Sequence, residues 1–106
     1  MRQRFALGII VIALSTTHVF AGPATCVNDD DGRYPCDFFQ FGGDGSFTVT
    51  APGKPGYTIS IVSQGVADGF ADYGNGNISL PGPFFRSTEK TACWVSDATG
   101  FSICVF

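Results

Sequence analysis

The chain has 106 residues, of which 44% are hydrophobic and 14% are charged, and its formal net charge is −3. This length predicts one domain. The acidic balance argues against nucleic acids and anionic membranes as partners, because their phosphates would repel the chain. Four cysteines and fourteen glycines indicate a small, turn-rich protein that is stabilised by disulfides.

The beginning of the chain has the layout of a secretory signal peptide. A basic start is followed by an apolar run over residues 5–14 and then by small residues that precede a cleavage site before Gly22. The apolar run is too short to cross a bilayer, which takes about 20 residues. We therefore predict a signal peptide over residues 1–21 and a single secreted, extracellular domain over residues 22–106.

Cleavage at this site would remove two of the six basic residues and none of the nine acidic ones, so the formal charge would change from −3 to −5. It would also remove His18, the only histidine. Without histidine, a Ser-His-Asp or Cys-His catalytic site and a histidine-ligated zinc or copper site are excluded. Glu89 is the only glutamate, so the carboxyl pair of a glycosidase is not expected either. We predict a protein that is not an enzyme and that holds no metal or other cofactor.

The first predicted element of this domain is a hairpin that contains Cys26 and Cys36. If residues 30–32 form a three-residue loop with a left-handed glycine, Asp29 lies opposite Arg33 and the two cysteines face each other.

The acidic turn of this hairpin also raises the question of calcium binding. In an EF-hand alignment, Val27 and Phe38 would occupy positions that require an acid and a bidentate glutamate, so the motif fails. We interpret the turn as a solvated hairpin tip, and an irregular calcium site stays open as an alternative.

The central part of the chain contains two alternating runs. In residues 46–51 and 57–63 every second residue is apolar, as in a strand with one buried face. Residues 42–45 and 52–56 are rich in turn-forming residues and precede these runs. The glycine-rich residues 65–77 predict a long loop with at most one irregular strand.

Shorter runs over residues 78–80 and 84–86 predict two further strands, and the chain ends in a hairpin. If residues 97–100 form a four-residue loop, Cys93 lies opposite Cys104. The whole pattern predicts an all-β fold: a small antiparallel sandwich or barrel of about six to seven short strands, stabilised by disulfides.

The four cysteines are interpreted as structural. No two of them are separated by only two residues, as a zinc or thioredoxin-like site would require. Two connectivities stay open: local pairing, Cys26 with Cys36 and Cys93 with Cys104, or nested pairing, Cys26 with Cys104 and Cys36 with Cys93.

The predicted long loop contains the candidate binding residues, because functional residues concentrate on such loops. They are Asp68, Phe70, Asp72 and Tyr73. The alternative is a flexible connection whose aromatic side chains belong to the core. Asn77 begins an Asn-Ile-Ser sequon and is a candidate for N-glycosylation.

Several aromatic residues could instead form a platform for stacking on sugar rings, although a small domain also needs large aromatics in its core. They are Tyr57, Tyr73, Phe84, Phe85 and Trp94. Phe84 and Phe85 are adjacent and should point to opposite faces of a strand, so one of them is expected to be exposed.

The leader, the glycine-rich turns and the four cysteines Cys26, Cys36, Cys93 and Cys104 together resemble the small secreted cysteine-rich proteins of filamentous fungi. Many of those proteins are effector-like or toxin-like. The resemblance covers the format of the whole chain and implies a secreted, non-enzymatic interaction protein. We predict a monomer that binds a host or extracellular protein through its loops. The alternative is a carbohydrate- or cell-wall-binding module that uses exposed aromatics on a polysaccharide.

Overall fold

A computed structural model describes residues 21–106, which form nine β-strands. The predicted signal peptide lies outside the described residues, except for Ala21 at the start of the first strand. The strands are β1 (Ala21–Asn28), β2 (Gly32–Phe41), β3 (Ser46–Thr50), β4 (Gly56–Ser63), β5 (Val66–Asp72), β6 (Asn77–Ser79), β7 (Phe84–Arg86), β8 (Cys93–Ser96) and β9 (Ser102–Val105). No helix in this part of the chain is long and apolar enough to span a membrane.

Eight of the strands form a closed antiparallel barrel. Strands β1 to β5 pair in sequence, β5 pairs with β7, and β7, β8 and β9 lead back to β1. The additional strand β6 pairs with the second half of β5, beside β7, which pairs with the first half. The predicted all-β class is confirmed and takes the barrel form, but the strand count is nine rather than six to seven.

Alternate side chains of each strand face the barrel interior, as the two-residue period of a strand requires. The most deeply buried large residues come from the four strands β3, β4, β7 and β9, and they are Val49, Tyr57, Ile59, Phe84 and Ile103. An eight-stranded barrel is just wide enough for such side chains to fill it, or for it to hold one small ligand. Phe84 lies in the middle, because its ring covers Gly69 at the centre of β5.

The prediction of a long loop over residues 65–77 is wrong for its first half. Residues 66–72 form β5, whose inward positions are Ala67, Gly69 and Ala71. These small residues face the large side chains of the adjacent strand β4, where Ile59 pairs with Gly69. Because these inward residues are small, the strand lacks the alternation of large apolar and polar residues that usually identifies a strand in a sequence. The small residues fit here because large side chains from neighbouring strands already fill the barrel interior.

Both disulfides are local. Cys26 bonds to Cys36, with their Cα atoms 5.9 Å apart, and Cys93 bonds to Cys104, with a Cα distance of 4.0 Å. Cys93 lies directly opposite Cys104, as predicted. The disulfides indicate folding in an oxidising environment.

The predicted register of the first hairpin is wrong by two residues. Asn28 pairs with Gly32, so Cys26 lies opposite Tyr34 and reaches Cys36 diagonally. The cause is the side chain of Asn28, whose Oδ1 accepts hydrogen bonds from the backbone N–H groups of Asp30 and Asp31, at 2.9 and 2.8 Å. This turn closes the loop one residue earlier than predicted. A shift by two keeps every side chain on its face of the strand.

The barrel has two ends. The β1–β2, β3–β4, β5–β6 and β8–β9 connections lie at one, which we call the tyrosine end after Tyr34 and Tyr57. The β2–β3, β4–β5 and β7–β8 connections lie at the other, which we call the cavity end.

Candidate functional site

The predicted binding residues occupy one outer row of β5 and the turn after it. Asp68, Phe70 and Asp72 are alternate residues that face outward from the strand, and Tyr73 follows at the tip of the β5–β6 hairpin. The structure therefore places Asp68, Phe70 and Asp72 in one outer row, and only Tyr73 lies in a loop. Tyr73 is 58% exposed, whereas Phe70 is half-buried between Thr58 and Ser79.

The turn after β5 is ordered by one carboxylate. Asp72 Oδ1 accepts hydrogen bonds from the backbone N–H groups of Gly74 and Gly76, at 2.7 and 3.2 Å. Both glycines have positive φ angles, of 108° and 97°, which other residues rarely adopt. The turn therefore fixes the position of Tyr73. Ile78 follows in β6, opposite Ala71, and is 52% exposed.

Asn77, the glycosylation candidate, is the first residue of β6 and is exposed. Its side chain lies at the same tip as Tyr73. Occupancy by a glycan stays a prediction.

The aromatic residues considered for sugar stacking do not form one surface. Tyr57, Phe84 and Trp94 are buried, with Trp94 only 4% exposed. Phe85 is 41% exposed beside the fully buried Phe84, so the prediction that these two neighbours face opposite sides is confirmed. Tyr73 and Phe85 are the exposed members of the set.

In the acidic turn between β1 and β2, one carboxylate is hydrogen-bonded within the protein. Asp29 accepts hydrogen bonds from the backbone N–H and the hydroxyl of Ser102, at 3.1 and 3.3 Å. Asp31 Oδ2 is buried and has no hydrogen-bond partner. Within residues 21–106, no three His, Cys, Asp or Glu side chains are grouped so that they could hold a metal ion.

The tyrosine end has a distinct electrostatic character. Burial raises the pKa of Tyr34, and the Asp31 carboxylate raises it further, whereas a hydrogen bond from Asn28 lowers it. Burial also raises the pKa of Tyr57 well above its ordinary value of 10.0, with smaller contributions from nearby groups that include Tyr73 and Asp31. Both hydroxyls therefore stay protonated to a higher pH than the hydroxyl of an exposed tyrosine.

The cavity end contains a pocket of about 390 Å³. Its wall is mainly apolar and comes from six strands and from residues that flank them. The lining residues with apolar side chains are Pro23, Ala24, Phe38, Phe47, Ala92, Trp94, Val105 and Phe106, and the others are Gln40, Gly45, Arg86 and Thr91.

Arg86 is the only charged residue of this lining. Its guanidinium carbon lies 5.5 Å from the centre of the Trp94 ring, and its Nε donates a hydrogen bond of 2.6 Å to the carbonyl oxygen of Thr91. Within the described residues no carboxylate forms an ion pair with it. The side-chain amide of Gln40 has no hydrogen-bond partner there either.

Sequence reasoning missed this pocket. The available signal was the alternation of Phe84, Phe85 and Arg86, which puts a charged residue on an inward position of a strand. An inward charge at a strand end is informative only when the sheet is known to close, because closure creates the interior that the charge faces.

No family model, no curated protein and no solved structure matches this chain. A function is therefore inferred from the chain's own residues.

Proposed function

We propose that the protein is a secreted, non-enzymatic interaction protein, effector-like or toxin-like, which binds a partner protein through the tip of its β5–β6 hairpin. The observation that carries the proposal is the ordered tip, which displays Tyr73 and Ile78 with more than half of each side chain exposed. Large side chains held in place in the free protein lose little conformational entropy on binding, and tyrosine is among the residues enriched in interfaces.

The charge of the tip suggests the kind of partner. Asp68 and Asp72 lie in the outer row of β5, the strand that leads to the tip, and acidic residues outnumber basic ones in the domain. A partner with an apolar depression bordered by basic residues would match this surface.

The two disulfides and the closed barrel support the proposal, because they give a small exported domain a rigid frame for such a tip. Wall binding is the weaker alternative, because three of the five aromatics that it needs are buried in the core.

A site-specific crosslinking experiment tests the proposal. A photoreactive phenylalanine analogue replaces Tyr73 in one protein and Val62, which is equally exposed at the cavity end, in a matched control. Host extracellular fractions are then irradiated with each protein. We expect one saturable crosslinked product from position 73 and none of that product from position 62.

Competition makes the result specific. Unlabelled wild-type protein should abolish the product, whereas a Tyr73→Ser/Ile78→Ser variant with an unchanged melting temperature should compete at least tenfold less well. Equal competition by that variant would contradict the proposal. Retention of the wild-type protein on insoluble chitin, cellulose, β-glucan or xylan would favour the wall-binding alternative instead.

A further inference from the structure

The pocket at the cavity end has the size and lining of a small-molecule site. Its volume of about 390 Å³ falls within the range of about 300–1,000 Å³ that is typical of such sites. Apolar walls with a few polar groups at fixed positions are also typical, and Arg86 and Gln40 supply those groups here.

The rim of the pocket is formed in advance by hydrogen bonds. In the β7–β8 loop, the backbone N–H of Cys93 donates to the Lys90 carbonyl oxygen at 2.8 Å, and that of Ser87 donates to the Cys93 carbonyl oxygen at 2.9 Å. The N–H of Val105 donates to the carbonyl oxygen of Ala92, a lining residue, at 3.0 Å. A ligand would therefore not have to order this loop on binding.

The guanidinium of Arg86 is held in place but keeps most of its donors. Its backbone N–H donates to the Gly65 carbonyl oxygen at 3.0 Å, and its side chain stacks on Trp94 while Nε donates to Thr91. An arginine has five N–H donors, so four remain on the two terminal nitrogens. Such a cation at the edge of an apolar pocket suits an anion.

The acidic residues of the domain do not neutralise this cation. Aspartate and glutamate are absent from the pocket lining, although acids outnumber bases in the chain. Asp44, beside the lining residue Gly45, accepts a hydrogen bond of 2.9 Å from the Ser46 N–H, and hydrogen bonds from Ser46 lower the pKa of its carboxyl.

We propose that this pocket binds a small monoanionic molecule with an apolar body, an aliphatic or aromatic carboxylate. The anionic group bonds to the terminal nitrogens of Arg86, and the body lies against Phe38, Phe47 and Trp94. A dianion such as a phosphate monoester fits less well, since the lining offers a single cation, the exposed Arg86, for its two charges. The site is at the opposite end of the barrel from Tyr73, so it does not depend on the function proposed above.

Two fluorescent probes of similar shape separate the contributions of charge and apolar body. One is anilinonaphthalene sulfonate, a monoanion, and the other is its uncharged parent, phenylnaphthylamine. Trp94 is the only tryptophan of the chain and lines the pocket, so quenching of its emission reports whether a probe enters. We expect both probes to quench Trp94, with tighter binding of the anion, and dodecanoate to displace both.

Substitutions then assign the charge to one residue. Arg86→Gln should weaken binding of the anionic probe about tenfold to a hundredfold, the effect of a lost hydrogen bond to a charged group, and leave the uncharged probe within about twofold. Arg86→Lys should restore part of the loss. Lys54→Gln is the matched control, because Lys54 stacks on Tyr34 at the tyrosine end and should leave both probes unaffected.

Ala24→Phe provides a second, independent test, because it fills the pocket from the inward face of β1. In a folded variant, both probes should lose more than tenfold in affinity. Absence of Trp94 quenching by either probe in the wild-type protein would overturn the site. Equal loss of both probes in Arg86→Gln, or an equal effect of Lys54→Gln, would overturn the role of Arg86.

Discussion

The two ends of this barrel are built from the same strands, but Asn28 and Ser96 at one end have partners within the protein, whereas Gln40 and the terminal nitrogens of Arg86 at the other end have none within residues 21–106. At the tyrosine end, Asn28 donates to the Tyr34 hydroxyl at 3.2 Å and accepts two backbone N–H groups. Ser96 Oγ there donates to the Pro81 carbonyl oxygen at 2.7 Å and accepts from two backbone N–H groups. At the cavity end, the Gln40 amide and the terminal nitrogens of Arg86 have no partner among the described residues.

This difference separates the part of the molecule that stabilises the fold from the part that is available to a ligand. Polar groups with partners inside the protein contribute to stability, and their loss leaves buried donors or acceptors unsatisfied. The Gln40 amide and the terminal nitrogens of Arg86 make no such bonds in the part of the chain that the structure describes, so their loss leaves no partner unsatisfied there. The tyrosine end should therefore be sensitive to substitution in stability measurements, and the cavity end in binding measurements.

The largest effect is expected at Phe84, which lies between the two ends. Phe84→Ala removes a fully buried ring from the middle of the barrel, and the free energy of unfolding should fall by about 3–5 kcal/mol. Phe85→Ala is the matched control, because its ring is partly exposed on the outer face and should contribute about 1 kcal/mol or less. Denaturant unfolding of both variants checks this, and similar losses would contradict the central place of the Phe84 ring in the core.

A smaller effect is expected for Asn28 at the tyrosine end. Asn28→Ala leaves the Tyr34 hydroxyl and the N–H groups of Asp30 and Asp31 without their partner. The free energy of unfolding should decrease by about 1–3 kcal/mol, measured in urea at pH 7. A change below about 0.5 kcal/mol would contradict the structural role assigned to this side chain.

The raised tyrosine pKa values predict a loss of stability in alkali. Because the folded state keeps Tyr34 and Tyr57 protonated above pH 10.0 while the unfolded state loses these protons, stability present below that pH is lost as pH rises through the folded pKa values. The slope is at most about 1.4 kcal/mol per pH unit for each tyrosine. Tyr57→Phe should unfold like the wild type at pH 7 and lose stability less steeply above pH 10.0. Parallel curves for the two proteins would contradict burial of the Tyr57 hydroxyl as the cause.

The smallest effect is expected for Gln40 at the cavity end. Gln40→Ala should change the free energy of unfolding by no more than about 0.5 kcal/mol, because its amide has no partner among the described residues. Together, the Gln40→Ala and Asn28→Ala variants compare the loss of unfolding free energy when one side-chain amide is removed at each end of the barrel. Equal losses would remove the distinction between the ends.

Much of the strand pattern could be predicted from the sequence, and the errors have physical causes. Strands β3 and β4 follow runs of alternating large apolar residues, which carry a strong two-residue period. The regular strand β5 was predicted as part of a loop with at most one irregular strand, because Ala67, Gly69 and Ala71 are small. These residues fit because Tyr57, Ile59 and Phe84 fill the space beside them. The register of the first hairpin depended on hydrogen bonds from the backbone to the Asn28 side chain, whereas the prediction was based on the position of the glycine in the turn.

The candidate sites divide in the same way. Tyr73 and Asp72 were found from composition, since a glycine-rich turn with a tyrosine and an aspartate is a local feature. The pocket combines Ala24, Phe38, Arg86 and Trp94 from four separate strands, and no local pattern connects them.

The sequence by itself determined the β class, the turns at residues 42–45 and 97–100, and the structural role of the cysteines, because each depends on neighbouring residues and on spacing along the chain. The tertiary structure decided the pairing of β4 with β5, the local disulfides and the pocket. The strand pattern does not specify closure, because similar strands can also form open sheets. Closure requires pairing between strands that are far apart in the chain, and only closure turns one face of the sheet into an interior. Closure also brings the exposed Arg86 and the half-buried Gln40 to the lining of one pocket.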